Sequence, residues 1–317
     1  EALDAGRPVP ASAARLDRAV PWVPYLETEL AFRMDVLAAF MSLIVLGVGA
    51  LVLAYCARYF REHEPRNAVF GGQLLAFAGA MFGLVTTDDL MVLYTFWEIT
   101  SVLSFLLIGY WSHLPEARRG ARMALVVTAL GGLAMIAGML ILGRIAGSFE
   151  LADILASGDA IKASPLYTPA LVLILLGAFT KSAQFPFHFW LPHAMAAPTP
   201  VSAFLHSATM VKAGVFLLVR FSPVLGGTEA WFYVVTSIGM ATLILGAAVA
   251  LYRHDLKGLL AYSTISHLGL ITAKGLSPMS RLQLAMGCMA YLSSPLWLAS
   301  LMVGLFIQRQ VFAVDIH

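Results

Sequence analysis

Met91-Val-Leu-Tyr-Thr-Phe-Trp-Glu98-Ile-Thr-Ser-Val-Leu-Ser-Phe-Leu-Leu-Ile-Gly109 is an apolar run interrupted by one carboxylate. No other charged residue lies within eight positions of Glu98 on either side. A bilayer's hydrocarbon core is about 30 Å thick, and a helix needs about 20 predominantly apolar residues to cross it. This run meets that length. Working outward from it, candidate spans fall near 35–57, 68–86, 90–111, 122–145, 168–190, 201–220, 230–252, 258–273 and 284–307. The 258–273 span is short for a full crossing. Lipid admits helices or closed barrels, and none of these runs alternates as barrel strands do. The fold class is therefore an all-α integral membrane bundle of about nine spans.

Composition agrees. Of 317 residues, 60% are hydrophobic and 12% charged, against roughly 25% charged in soluble domains; the mean hydropathy is +0.82. Charge gathers at the N-terminus, where residues 1–33 form a mixed, Pro-containing segment expected to be interfacial or extramembrane. It lacks the pattern of a secretory signal. Starting at Glu1 instead of Met, it reads as though an upstream portion is missing. The net charge of +2 leaves no footprint for nucleic acid. Cys56 and Cys288 lie in separate apolar runs and make neither a disulfide framework nor a metal spacing. Basic residues in the short loops, nine against six, lean toward placing the loop after the first span on the cytoplasmic side.

Ionisable side chains inside spans are costly and mark ion or proton paths. Glu98 is the plainest; a structural carboxylate satisfied by a neighbouring hydroxyl is the alternative. Lys181 follows Leu171–Thr180, where a lysine could also snorkel to the interface. Against snorkelling stand Pro186, Pro192, Pro198 and Pro200, which break the helical ladder among Phe187, Phe189 and Trp190. Broken helices at membrane depth are tolerated inside protein or against a watery cavity, so a broken helix is expected around Pro186. His206 and Lys212 follow, six residues apart and about 120° around a helix. They need not touch, and a histidine here is as readily a packed core residue. Lys257 and His267, with Asp255, Ser263 and Ser266, make a secondary polar string whose end position equally fits a surface role. His188 and His193 read as loop residues, and Asp88-Asp89 as a membrane-boundary turn. No nucleotide loop, dinucleotide fingerprint, zinc-protease pair or nucleophile elbow occurs, so no cofactor, metal or enzymatic site is expected.

Phe96-Trp97-Glu98-Ile99-Thr100-Ser101, Lys181-Ser-Ala-Gln-Phe-Pro186, Pro198-Thr-Pro-Val-Ser-Ala-Phe-Leu-His206-Ser-Ala-Thr-Met-Val-Lys212-Ala-Gly214 and Asp255-Leu-Lys257 with Ala261-Tyr-Ser-Thr264 resemble one family. It comprises the antiporter-like subunits shared by respiratory complex I and the multisubunit, Mrp-type sodium/proton antiporters. The likeness runs from about residue 21 to 272 and is greatest to the large Mrp A subunit, with the L-type subunit of complex I next. The resemblance implies a Glu98–Lys181 pair and a lateral proton path through His206. It also implies other membrane subunits as partners, protons with sodium as a candidate exchange ion, and a multi-pass place in the bacterial inner membrane.

Three units are expected: 1–33, an antiporter-like core at 34–272, and an atypical membrane segment at 273–317. The last, from Ala273 through Trp297-Leu298, reads instead like a membrane segment of the glucosyltransferase that builds periplasmic glucans. The family's second broken helix is not found, so a complete second half-channel is not expected. The competing readings are a proton-pumping subunit of NADH-quinone oxidoreductase, which would make it a translocase, a non-conducting membrane anchor, and a glycosyltransferase membrane module.

Overall fold

The computed structural model describes residues 14–15, 20–23, 28–60 and 67–273. The 284–307 span and the segment beginning at 274 lie outside the described residues. The chain starts with two small antiparallel ribbons, β1 (Ala14–Arg15) with β4 (Arg33–Met34) and β2 (Val20–Val23) with β3 (Thr28–Leu30). Among the described residues, the elements that follow are helices. The long helices are α1 (Val36–Tyr59), α2 (Asn67–Thr86), α3 (Leu90–Ile108) and α4 (Pro115–Ala146). Two short helices, α5 (Leu151–Ala156) and α6 (Gly158–Ala163), lie between the expected spans at 122–145 and 168–190. Then come α7 (Tyr167–Lys181), the short α8 (Trp190–Ala194) and α9 (Thr199–Val201), α10 (Met210–Leu225), α11 (Glu229–Leu251) and α12 (Leu256–Ala273).

Among the described residues, six helical segments are long and apolar enough to cross a membrane; α7 is a shorter apolar helix. The expected 168–190 and 201–220 spans differ from what forms. The first stops at Lys181, where Ser182 caps it. The backbone then passes through Ala183 at φ +50° and a cis Phe185–Pro186 bond into a 3₁₀ turn over Phe187–Phe189. The second is entered through α9 and a π-helical stretch, Ser202–Ala208, before α10 begins. Prolines 186, 192, 198 and 200 explain both departures, since none supplies an amide donor.

The segment Thr199–Leu225 is 89% buried and forms the axis of the bundle, whereas Glu229–Leu251 is 22% buried and lies at the edge. α4 packs against α7 through small residues. A methyl placed on Gly177 would come within 2.5 Å of Met135 Cβ, and one on Gly138 within 2.7 Å of Ile174. Lipid tails are as apolar as leucine, so close backbone approach and dispersion hold such helices together. The Asp88-Asp89 turn separates α2 from α3: Asp89 accepts from the amides of Met91 (2.7 Å) and Val92 (2.9 Å) and caps α3. Asp88 lies 3.8 Å from Arg33.

Candidate functional site: a buried lysine on uncharged oxygens

Lys181 is fully buried. Its ammonium reaches from the end of α7 to one turn of α3. There it donates to the Trp97 carbonyl (2.7 Å), Thr100 Oγ1 (2.6 Å) and Ser101 Oγ (3.0 Å). Three N–H bonds meet three oxygens, and none of those oxygens is charged. The Trp97 ring adds a face 4.4 Å from Nζ. Both hydroxyls in turn donate to the Trp97 carbonyl, at 2.7 and 3.1 Å. The interfacial alternative for this lysine is therefore ruled out by its burial.

The expected Glu98–Lys181 ion pair is not made. Helical geometry gives the reason: Trp97, Thr100 and Ser101 share one face of α3, and Glu98 leaves the helix about 100° away from it. The Glu98 carboxylate instead enters a notch on α4. Gly132 makes the notch; a methyl there would sit 1.9 Å from Glu98 Oε1, and one on Gly131 would sit 1.8 Å from Thr180 Oγ1. Glu98 Oε1 is buried and has no hydrogen-bond partner. The two charges act on one another without contact.

From Lys181 the structure continues in two directions. Ser182 Oγ donates to the Val211 carbonyl (2.9 Å), binding the end of α7 to the first turn of α10, where Lys212 is buried. A methyl on Gly214 would fall 2.2 Å from both the Ala178 carbonyl and Ser182 Oγ, so this crossing requires glycine. In the other direction, Trp190 Nε1 donates to the Thr180 carbonyl (2.8 Å), and the Trp190 ring lies 6.1 Å from His206. His206 is 1% exposed, and neither ring nitrogen makes a hydrogen bond of good geometry. The Ala194 backbone, at the end of α8, is the polar group that acts on the imidazole most directly.

Lys257 and His267 part company. Lys257 Nζ donates to the carbonyls of Met195 (3.1 Å) and Ala197 (2.9 Å), in the turn after α8, and its charge acts on His206. His267 is on the exposed side of α12, where Nδ1 meets the Ser263 carbonyl of its own helix (2.7 Å). The packing of α12 places the first inward and the second outward, so His267 is not brought to the site. Pro186 is exposed, with His188 stacked on Phe185 at 6.2 Å.

Residues that the sequence reading passes over complete the site: Thr100, Ser101, Gly131, Gly132 and Trp190. A signal for two of them exists in the chain. Hydroxyls at 100, 101 and 104 form a polar stripe on an otherwise apolar helix, and all three are fully buried. Arg220, the last residue of the expected 201–220 span, lies inside α10. It is 8% exposed and bound to Asp35 at the start of α1 through two guanidinium nitrogens, the longer contact 3.2 Å.

The family described as "NADH:quinone oxidoreductase/Mrp antiporter, TM" matches residues 87–315. That described as "NADH-Ubiquinone oxidoreductase (complex I), chain 5 N-terminus" matches residues 22–70. The first match runs through the stretch that reads like a glucosyltransferase segment. The probable A/B-type subunit of a K(+)/H(+) antiporter from Rhizobium meliloti (strain 1021) is 60% identical over 265 residues, 84% of this chain and 26% of that protein. The A-type subunit of a Na(+)/H(+) antiporter from Alkalihalophilus pseudofirmus is 47% identical over 256 residues, covering 81% and 32%. A chain in the structure of the Mrp complex from Dietzia sp. DQ12-45-1b superposes with a TM-score of 0.82 at 41% identity, over 87% of this chain and 30% of that one. The chain thus spans about a quarter to a third of the length of these relatives.

Proposed function

Because the chain belongs to the transmembrane family shared by NADH:quinone oxidoreductase and the Mrp antiporters, we propose that it is a proton-translocating part of a multisubunit monovalent cation/proton antiporter. It would work in the bacterial inner membrane beside other membrane subunits of its complex. The observation that carries this reading is the seat of Lys181: a fully buried amine held by neutral oxygens, with an unpaired carboxylate one residue further along the same helix as those oxygens.

A buried lysine's hold on its proton depends on desolvation and on nearby carboxylates. Glu98 supplies the carboxylate without locking the ammonium into a direct pair. Movement of charge at Glu98 changes the field at Lys181, and the proton passes on toward the buried His206. Lys257, beyond His206, and Lys212, on α10, extend the polar row in the two directions that the packing leaves. The three-unit division at 33 and 272 follows this reading, with the transporting residues all in the middle unit.

The test uses the intact complex reconstituted in vesicles containing a pH-sensitive dye. Lys181→Ala and Glu98→Ala should each sharply cut cation-driven proton movement while assembly on native gels stays normal. Lys181→Arg is the sharper variant, since a guanidinium keeps its proton at any working pH. Wild-type exchange by Lys181→Arg would make the lysine a fixed charge and end the relay reading.

A further inference from the structure

We propose that Thr100 and Ser101 are positioning residues that let Lys181 hold or release its proton without leaving any buried group unsatisfied. This rests on the relay reading above and adds to it the means by which the lysine tolerates both states. The carrying observation is the double use of each hydroxyl. Thr100 Oγ1 and Ser101 Oγ accept from Lys181 Nζ while giving their own protons to the Trp97 carbonyl.

With three N–H donors, the ammonium fills three acceptors: the carbonyl and the two hydroxyl oxygens. Once a proton has left for a water or carboxylate of the relay, the amine has two N–H donors and one lone pair. A hydroxyl is donor and acceptor at once and rotates to suit. One of the pair turns from the Trp97 carbonyl and donates to the amine lone pair; the other oxygen and the carbonyl keep the two remaining N–H bonds. The carbonyl retains the second hydroxyl and the lysine. No heavy atom moves, and every polar atom stays bonded in both states. A carboxylate in the same place could not do this, since it only accepts. It would stabilise the ammonium and be left bare by the amine. The displacement of Glu98 into the Gly132 notch, away from Nζ, belongs to the same design.

Of the elements around Lys181, α3 carries Glu98, α10 carries the buried Lys212 and the 3₁₀ turn carries His188, while α4 has its charges at its two ends. Of these, Glu98 is the group whose charge reaches Lys181. The pH profile of exchange can therefore be read at the seat once Glu98 is held constant.

The experiment measures exchange rate against pH for the assembled complex in vesicles, comparing wild type with Thr100→Val, Ser101→Ala, the double variant and Thr100→Ser. Loss of charge-assisted acceptors disfavours the ammonium more than the amine, so the double variant's profile should move to lower pH by about one unit. Each single variant should show about half of that, and Thr100→Ser, which keeps the hydroxyl, should follow wild type. If the double variant does not assemble, the single variants carry the same test. A hydroxyl that merely bonds its own helix backbone would leave the profile in place; superimposable profiles, or an equal shift in Thr100→Ser, would overturn the proposal. Lys181→Arg separates the two levels. Inactive Lys181→Arg with unshifted hydroxyl variants defeats the seat alone, whereas active Lys181→Arg defeats the relay.

Discussion

Lys181 and Arg220 are both cations buried within the helical bundle, and their surroundings differ in kind. Lys181 is bonded to a carbonyl and two hydroxyls, Arg220 to the carboxylate of Asp35. A guanidinium cannot lose its proton, so it needs a permanent counter-charge, and its planar fork suits a carboxylate. Lysine can be neutralised, and partners without charge accommodate that change. On the proposed relay, the chemistry of the partners is what separates a movable charge from a fixed one. Position adds to the contrast, since Arg220 fastens the far half of α10 to the cap of α1, while Lys181 ends a helix that goes no further.

Exchanging the two cations is the harshest way to break this comparison. Lys181→Arg should lower exchange by about a hundredfold, the scale on which a displaced catalytic group acts, while Arg220→Lys leaves transport per assembled complex near wild type. Dye-reported proton flux normalised to native-gel abundance decides between them. Next comes removal of the fixed charge. Arg220→Met strands Asp35 in a half-buried place and should cost about 2–3 kcal/mol, somewhat under the cost of breaking a fully buried pair. A thermal shift of the detergent-purified complex reads it, and an added Asp35→Leu should restore part of the loss.

A milder intrusion sharpens the movable side. The Cβ of Gly132→Ala would lie 1.9 Å from Glu98 Oε1 and push the carboxylate out of its notch. Exchange should fall about tenfold with little change in melting temperature, because the displaced group is the end of a flexible side chain. The smallest effect concerns acid. Burial raises Asp35, but its bonds to Arg220 outweigh that and hold the carboxyl below its ordinary value of 3.8. A lowered carboxyl stabilises the fold fully above the ordinary value and loses that contribution as pH falls through its folded one. The stability gap between wild type and Asp35→Asn, smaller than that for Arg220→Met because the asparagine oxygen still accepts from the guanidinium, should persist from neutral pH to about pH 4 and close below it.

What could be read from sequence follows what depends on composition. Spans at α1, α2, α3, α4 and α11 were legible because unbroken apolar length is a property of the chain alone. Glu98, Lys181 and His206 stood out because charge or a titratable ring in such a run is expensive. The partner of Lys181 was not legible. Its three oxygens include a backbone carbonyl, which every residue carries, and two hydroxyls that look like ordinary helix filler. The rotation between Thr100 and Glu98 decides which one reaches the lysine, and it depends on how α7 lands on α3. Arg220 misled for a related reason: near the end of a run it resembles a loop cation until α1 brings Asp35 to it. Lys257 and His267 share a helix, and only the packing of α12 tells the inward one from the outward.

The length of α4 fixes how far the site lies from water. Its 32 residues make a rod of about 48 Å, well beyond the roughly 30 Å of hydrocarbon. The exposed Arg122 and Arg144 are about 33 Å apart along it, close to the thickness they would bracket. Gly132, whose missing side chain admits the Glu98 carboxylate, comes ten residues after the first arginine and twelve before the second. It is therefore about 15 Å from one boundary and about 18 Å from the other. No side chain spans either distance. On the proposed relay, a proton reaching Glu98 or leaving Lys181 would therefore have nearly equal distances to cover on the two sides, too long for a single side chain and in need of intermediate carriers on both.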